Sequence, residues 1–159
     1  MPSTYEPIAT TTLGSAQASV TFSSITGSYT DLIISYNATS SIEQQNFLRF
    51  NGDTGSNYSR TFMAGDGSSA TSNRSSNGTS LLGPFSVFVP TVNLIQIQNY
   101  SNTTTFKTTL IRSGAANNST IATVGLYRST SAITSVLIST TAGTFDSGTV
   151  FTVYGIKSA

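Results

Sequence analysis

The sequence contains no histidine, no cysteine and no tryptophan. Without histidine there can be no Ser-His-Asp or Cys-His catalysis and no metal site built on imidazole. Without cysteine there are no disulfides, no thiolate chemistry, no zinc knuckle and no iron–sulfur cluster. The fold must therefore be stabilised by packing and backbone hydrogen bonds alone.

Charge is scarce as well. Charged residues make up 8% of the 159 residues, and seven basic against six acidic side chains leave a net charge of +1. So small a surplus cannot neutralise a phosphate backbone, and we expect no nucleic-acid partner. No hydrophobic run approaches the ~18 residues of a transmembrane helix, so we expect no membrane span. Residues 1–6 also lack the basic and apolar regions that mark a signal peptide.

Serine and threonine supply about a third of the chain, yet the composition is not that of a disordered protein. Leu, Ile, Val and Phe together make up about a quarter of the residues, above the floor of about 20% that is typical of disorder. Aromatic residues add a further apolar contribution and the net charge is low, which also argues for a packed core. The many β-branched residues and the few strong helix formers favour strands.

Apolar and polar residues alternate along about ten short segments. In one of them Leu32, Ile34 and Tyr36 share a face, and in another Ile95 and Ile97 alternate with glutamines. Alternation with a period of two predicts strands with one buried face. Short strands separated by turn-forming stretches predict one all-β domain, an antiparallel sandwich or barrel. The predicted strands are residues 18–24, 30–37, 46–51, 57–63, 80–89, 92–100, 105–113, 120–128, 132–139 and 149–157.

Several segments carry more specific predictions. Residues 149–157 are expected to form a buried strand near the centre of the sandwich, with Val150, Tyr154 and Ile156 facing the core. Residues 64–79 show little regularity and are predicted to form a long surface loop, a kind of segment that is often functional. Two further sets are expected to share a strand face, namely Phe106, Thr108 and Leu110, and Ala122, Val124 and Leu126.

The acidic residues show no pattern that predicts catalysis or metal binding. No local spacing pairs two of the six carboxylates across a cleft, and most of them stand beside turn residues. Residues 51–57 place side-chain oxygens at alternate positions, as in a calcium loop, but Phe62 stands where the bidentate glutamate belongs. Asn51-Gly52-Asp53 is also a strong hairpin turn. We therefore expect a turn here, no cofactor, no metal and no enzymatic activity.

The five arginines are the remaining candidates for a binding role. Arg49, Arg112 and Arg128 fall within or at the ends of predicted strands, and Arg60 and Arg74 border or lie in the predicted loop. An arginine among neutral neighbours either caps the edge of its own sheet or binds an acidic partner. The sequence alone leaves both alternatives open.

Four stretches carry a resemblance to a known class of protein. They are YEPIATTT at residues 5–12, LRFNGDTGSNYS at 48–59, NYSNTTTFK at 99–107 and FTVYGI at 151–156. With them the chain resembles, over nearly its whole length, the virion structural modules of tailed bacteriophages, especially marine cyanophages and their relatives. The resemblance implies a jelly-roll-like β-sandwich, a structural role and no catalysis.

Three functions follow from the resemblance and the composition. The first is a capsid decoration, or cement, protein that binds the major capsid protein on the head surface. The second is a tail or fibre component, located on the tail, that contacts a host surface glycan. The third, a carbohydrate-active enzyme, is disfavoured because no carboxylate pair is evident. The resemblance also implies a homotrimer or another small cyclic oligomer.

The predicted domain organisation is an extended N-terminal arm over residues 1–17 and a β-sandwich domain over residues 18–159. Proline disfavours regular pairing within a central strand, so we expect the arm to be free to reach a neighbouring subunit or the shell. The residues predicted to contact the capsid or another subunit are Tyr5, Glu6, Pro7, Ile8 and Arg74.

Overall fold

The computed structural model describes residues 4–157 and contains twelve strands and no helix within them. The predicted all-β, jelly-roll-like antiparallel sandwich is confirmed. The strands are β1 Tyr5–Thr12, β2 Ser19–Phe22, β3 Asp31–Ala38, β4 Gln44–Phe50, β5 Tyr58–Gly65, β6 Ala70–Gly78, β7 Leu81–Ser86, β8 Thr91–Gln98, β9 Lys107–Gly114, β10 Thr120–Tyr127, β11 Val136–Thr140 and β12 Val150–Ile156.

The strands form two antiparallel sheets of unequal width. The large sheet has eight strands in the order β1-β12-β3-β8-β9-β10-β5-β6, and the small sheet has four in the order β2-β11-β4-β7. The core lies between them, and the alternation predicted for β3 and β8 is confirmed because Leu32, Ile34, Ile95 and Ile97 are fully buried. Four strands cannot cover eight, so part of the large sheet stays open on both faces.

The last strand is buried, but through the opposite face from the one predicted. In β12, Phe151 and Val153 face the core and are fully buried, whereas Val150 is 42% exposed and Tyr154 and Ile156 are half-buried on the other side. The strand is also second from the edge of the large sheet and not central. Alternation shows that two faces differ, but it does not show which of them a second sheet will cover.

The same inversion occurs in β9 and β10, and small residues explain it. Val124 is 53% exposed, while its neighbour Gly125 is buried. A Cβ at Gly125 would lie 2.5 Å from Leu81 of β7, so the small sheet packs directly on the glycine backbone. Val124 and Leu126 of β10 are therefore left on the outside of the sandwich, whereas Tyr127 at the end of the strand is buried in the core.

The segment predicted as a long loop, residues 64–79, is a β-hairpin. Strands β5 and β6 pair up to Gly65 and Ala70, and the turn between them is closed by Asp66, whose carboxylate accepts hydrogen bonds from the Ser68 and Ser69 N–H groups. These bonds hold the pKa of Asp66 well below its usual range. Strand β6 has no large apolar residue and its side chains are nearly all exposed. It is held by backbone pairing, which leaves no hydrophobic pattern to detect.

The predicted N-terminal arm is in large part a strand of the sandwich. Residues 5–12 form β1 and pair with β12 along the edge of the large sheet, with a register shift between Pro7 and Ala9. The sandwich therefore begins at Tyr5, and the expected boundary at residue 18 does not separate two units. Proline is tolerated here because β1 is an edge strand. Residues 1–3 of the predicted arm and residues 158–159 of the predicted domain lie outside the described residues.

Candidate functional site

The widest uncovered surface is the side of the large sheet that faces away from the small sheet, which we call the outer face. The strand register defines it, because directly opposite residues of neighbouring strands point to the same side. One row crosses all eight strands and consists of Pro7, Tyr154, Ile33, Gln96, Leu110, Val124, Thr61 and Arg74.

The outer face is unusually apolar for a surface exposed to water. Nine large hydrophobic side chains are exposed among the described residues, and six of them belong to this face by register. Side chains of Ile33, Leu94 and Leu126 are half-buried among them. A contiguous apolar surface of this kind marks a contact site for another macromolecule. The six exposed members are Tyr5, Met63, Val92, Leu110, Val124 and Val150.

The few charges on the outer face are mostly positive. Arg74 lies on the edge strand β6 and Arg112 on the central strand β9, and both side chains are exposed. Asp31, the acidic residue of this face, accepts a hydrogen bond from the Asn99 N–H at 2.8 Å. Neither arginine has an ion-pair or hydrogen-bond partner among residues 4–157. The outer face therefore combines apolar area with two uncompensated guanidinium groups.

A shallow groove runs over the outer face beside β6. Its volume is about 260 Å³, and Arg74, Val124 and Leu126 contribute to its walls. The hydroxyl residues Ser59 and Thr108 also line it. The groove thus offers the guanidinium groups of Arg74 and Arg60, hydroxyl groups and aliphatic surface together at one end of the outer face.

The predicted contact residues do not form one site. Tyr5, Glu6, Pro7 and Ile8 lie on β1 at one edge of the large sheet, and Arg74 lies on β6 at the opposite edge. Seven strand spacings separate the two edges, a distance of about 34 Å along the sheet. Tyr5, Pro7 and Arg74 share the outer face, whereas the exposed apolar residues between them were assigned to the core or to no site.

Glu6 has a structural role within the chain. Its carboxylate pairs with the Lys157 Nζ at 2.7 Å and accepts a hydrogen bond from the Tyr29 hydroxyl at 3.0 Å. The Tyr29 ring lies flat against Gly155, where an added Cβ would stand 2.3 Å from the ring. These contacts connect β1 to the chain segments beside it. The Lys157 and Tyr29 hydrogen bonds lower the pKa of Glu6, while the bond to Glu6 raises the pKa of Lys157.

We expect β1 to loosen at acidic pH. Because the pKa of Glu6 is lower in the folded chain, its contribution to stability is present above its ordinary value of 4.5 and is lost as the pH falls through the folded-state pKa. Hydrogen-exchange protection factors of the β1 amides should then fall relative to those of β9. Glu6→Gln should remove this pH dependence and Glu43→Gln should leave it intact. Equal protection of β1 and β9 at all acidic pH values would contradict the prediction.

Asp53 and Asp146 also accept hydrogen bonds from groups of their own chain. Asp53 accepts hydrogen bonds from the Gly55 N–H at 2.7 Å and the Asn57 Nδ2 at 2.8 Å, which lowers its pKa. Asp146 accepts one from the Thr39 hydroxyl at 2.7 Å. The Asn51 Oδ1 accepts hydrogen bonds from the backbone N–H groups of Thr134 and Ser135. Residues 51–57 therefore form a turn, as their sequence predicts, with these oxygens already engaged.

The described part of the chain, residues 4–157, has neither a metal-ligand cluster nor a membrane-spanning helix. No group of three acidic, histidine or cysteine side chains there could hold a metal ion. No helix in that part of the chain is long and apolar enough to cross a membrane.

One buried charge was not predicted. Lys107 is fully buried at the start of β9, and its Nζ donates hydrogen bonds to the Thr105 carbonyl at 2.7 Å and the Thr130 carbonyl at 3.1 Å. Burial lowers the pKa of this ammonium group. Its partners are backbone carbonyls, which have no signature in the sequence. Lys107 thereby links the loop before β9 to the loop after β10, and it does not face the outer face.

Comparison with known proteins does not identify a family for the chain. No protein-family model and no curated protein sequence matches the chain. Among solved structures, the chain is similar to the galectin LEC-6 of Caenorhabditis elegans, with 9% identity, a TM-score of 0.38 and coverage of 91% of this chain and 94% of that one. It is also similar to the alginate lyase Aly36B, with 8% identity, a TM-score of 0.34 and coverage of 89% and 78%. At such low similarity neither neighbour indicates what this chain binds.

Proposed function

We propose that the chain is a structural protein of a bacteriophage particle, specifically a decoration protein that binds and stabilises the outer surface of the head shell. Its partner would be the major capsid protein or another virion protein, and its location the capsid surface. The resemblance of residues 5–12, 48–59, 99–107 and 151–156 to phage virion modules supports this assignment. The role is one of binding, since the carboxylates described above serve turns and strand contacts.

The observation that carries the proposal is the outer face. It presents exposed Val92, Leu110 and Val124 across the middle strands of a wide sheet. Burial of apolar area is the main favourable term in protein association, and flat sheet surfaces suit flat partners. The chain has two lysines in all, and lysine is depleted from interfaces. These features favour a broad protein contact over a pocket for a small molecule.

Charge favours a different protein as the occupant of the outer face over a second copy. Two outer faces placed against each other would bring together Arg74 and Arg112 of both copies, with Asp31 alone as an acidic neighbour. A partner with an apolar surface and acidic residues around it would complement both properties. We therefore assign the outer face to the shell protein.

Contacts between copies are assigned to the sheet edges. We propose a homotrimer or another small cyclic oligomer, as the resemblance implies. The β1 edge is interrupted by Pro7 and a register shift, whereas β6 offers nine residues without proline, eight of them exposed. Free edges of the second kind readily pair with another chain. The molar mass in sedimentation equilibrium measures whether the isolated protein associates.

Glutamate at position 124 is expected to weaken binding to the head by at least about tenfold, because the carboxylate would be desolvated at the centre of the outer face. Val124 is 53% exposed, so the Val124→Glu variant should fold normally. The measurement is cosedimentation with heads of the source phage from which this protein has been stripped. Thr21→Glu, on the exposed side of the small sheet, is the matched control and should bind as the parent does. If the parent, Val124→Glu and Thr21→Glu all bind equally well, the outer face does not contact the shell.

A tail or fibre role with glycan binding is the second proposal, and the groove beside Arg74 is the observation that favours it. Guanidinium and hydroxyl groups such as those of Arg74, Ser59 and Thr108 are hydrogen-bond donors for sugar oxygens. Against it, no aromatic ring lines the groove for a sugar to stack on. Binding to host surface polysaccharide together with failure to bind stripped heads would favour this second role.

A further inference from the structure

A second concave site lies at the base of the β5–β6 hairpin, on the side of the sheet opposite the outer face. We call it the basic hollow. Arg60 points to this side because it stands opposite Gly125, whose backbone faces the small sheet. The hollow has a volume of about 210 Å³. Its walls are Tyr58, Ser59, Arg60, Ser75, Gly78, Thr79, Ser80 and Leu82.

Arg60 is half-buried in this wall and has no hydrogen-bond acceptor or ion-pair partner among residues 4–157. Its guanidinium carbon lies over the Phe62 ring, 4.9 Å from the ring centre, in a cation–π contact. An arginine carries five N–H donors, and leaving them without acceptors in a half-buried position costs free energy. Burial without a counter-charge lowers the pKa of Arg60. Arg60 therefore keeps free hydrogen-bond donors at the wall of the hollow.

Two further arginines are fixed to the walls of the hollow. The Arg49 Nε donates to the Thr79 carbonyl at 3.1 Å. Arg128 donates to the Ser59 hydroxyl and, at 2.9 Å, to the Asn77 Oδ1. All of these acceptors are neutral, so they hold the guanidinium groups in place without cancelling their charge.

Carboxylates do not compensate this positive charge within the described part of the chain. The ion pair found there, between Glu6 and Lys157, lies on the other edge of the sheet. Asp53 is the acidic residue of this end, and its oxygens accept hydrogen bonds from Gly55 and Asn57. Arg60 thus lines the hollow, while Arg49 and Arg128 are hydrogen-bonded to residues of its walls and add positive charge beside it.

We propose that the basic hollow is an oxyanion-binding site in which Arg60 forms a bidentate pair with a carboxylate or phosphate group. The planar fork of an arginine matches both groups, and such charge-assisted pairs are the strong ones. The hydroxyl groups of Ser75, Thr79 and Ser80 supply further donors at the walls. By strand register Arg60 faces the side of the sheet opposite the outer face, and the same residue also contributes to the wall of the groove beside Arg74.

The anion has two sources, an acidic side chain of a partner protein and a free inorganic ion. The experiment uses the whole chain, titrated with hexaglutamate in one arm and with sodium phosphate in the other, against sodium chloride of equal ionic strength. The Arg60 Nε–H resonance and the unfolding temperature are followed. In the wild type both should shift with at least one probe at millimolar concentration. A response to hexaglutamate alone identifies a protein acid, and a response to phosphate alone identifies a free ion.

Arg60→Gln should weaken the binding of the active probe by about tenfold or more, while Arg112→Gln on the outer face should bind as the wild type does. Arg60→Lys keeps the charge and removes the fork, so it should bind more weakly than the wild type and more tightly than Arg60→Gln. If Arg60→Gln does not fold, the proposal is tested by whether the Arg60 Nε–H resonance of the wild type shifts with either probe. An unmoved Arg60 resonance with both probes, or equal losses in Arg60→Gln and Arg112→Gln, would overturn the proposal.

Discussion

Replacing Phe151 with alanine is expected to lower the free energy of unfolding by about 3–5 kcal/mol. Phe151 is fully buried on the core face of β12 and stacks on the Tyr36 ring with a centroid distance of 4.6 Å. It also meets the edge of the Phe145 ring at 5.1 Å. Truncation therefore removes a large buried area together with two aromatic contacts, and the surrounding sheets can only partly close the cavity.

Denaturant unfolding followed by circular dichroism measures the effect. Ile156→Ala is the matched variant on the same strand, because Ile156 is half-buried on the outer face and makes no core contact. It should cost about 1 kcal/mol. If the two variants unfold at the same denaturant concentration, or if Ile156→Ala is the weaker protein, the orientation of β12 described above is wrong.

The orientation of β12 shows what alternation can and cannot predict. The period of two in Val150 to Ile156 predicts a strand, and the strand is present. Its two faces carry similar apolar residues, so the sequence does not distinguish them. The deciding feature is Gly155, on which the Tyr29 ring lies, and this contact joins residues far apart in the sequence. The sequence signal for the buried face was Gly155, which shares one face of the strand with Phe151 and Val153.

The edges of the large sheet show a different limit. Strand β6 consists almost wholly of small polar residues, so its sequence shows no alternation of apolar and polar residues. The strand is held in place by its backbone hydrogen bonds to β5. Strand β1 contains Pro7, which argues against a central strand and is compatible with an edge. Both strands were therefore assigned to a loop or an arm. Neither error changes the fold class, since the core strands decide it.

The candidate sites were only partly predictable. Arg74 and the residues of β1 were singled out, but the exposed apolar residues between them were not, because an apolar residue in an alternating strand predicts core. Arg60 was noted as bordering a loop, with capping and partner binding both open. Its lack of a hydrogen-bond acceptor or counter-charge among residues 4–157 depends on which strands surround it. That information exists only once the topology is known.

The protein is expected to unfold cooperatively as the pH rises above about 10, the ordinary pKa of tyrosine. Burial raises the pKa of Tyr36, Tyr58, Tyr100 and Tyr127, and all four side chains lie in the core. Above pH 10 the unfolded chain releases these protons while the folded chain retains them. Stability conferred by the neutral phenols is therefore fully present below the unfolded pKa and is lost as the pH rises toward the folded one.

Tyr36 and Tyr58, whose pKa values are raised the most, should each lower the free energy of unfolding by about 1.4 kcal/mol per pH unit in this range. For Tyr36 and Tyr58 alone the loss is about 3 kcal/mol per unit, a large part of the stability of an ordinary domain. Circular dichroism and tyrosinate absorbance should change together in one transition. Tyr36→Phe should reduce the pH dependence by about one proton, although it removes the acceptor of the Asn46 Nδ2 hydrogen bond. Tyrosinate absorbance that rises fully before any loss of strand signal would show that the rings ionise within the folded chain, contrary to this prediction.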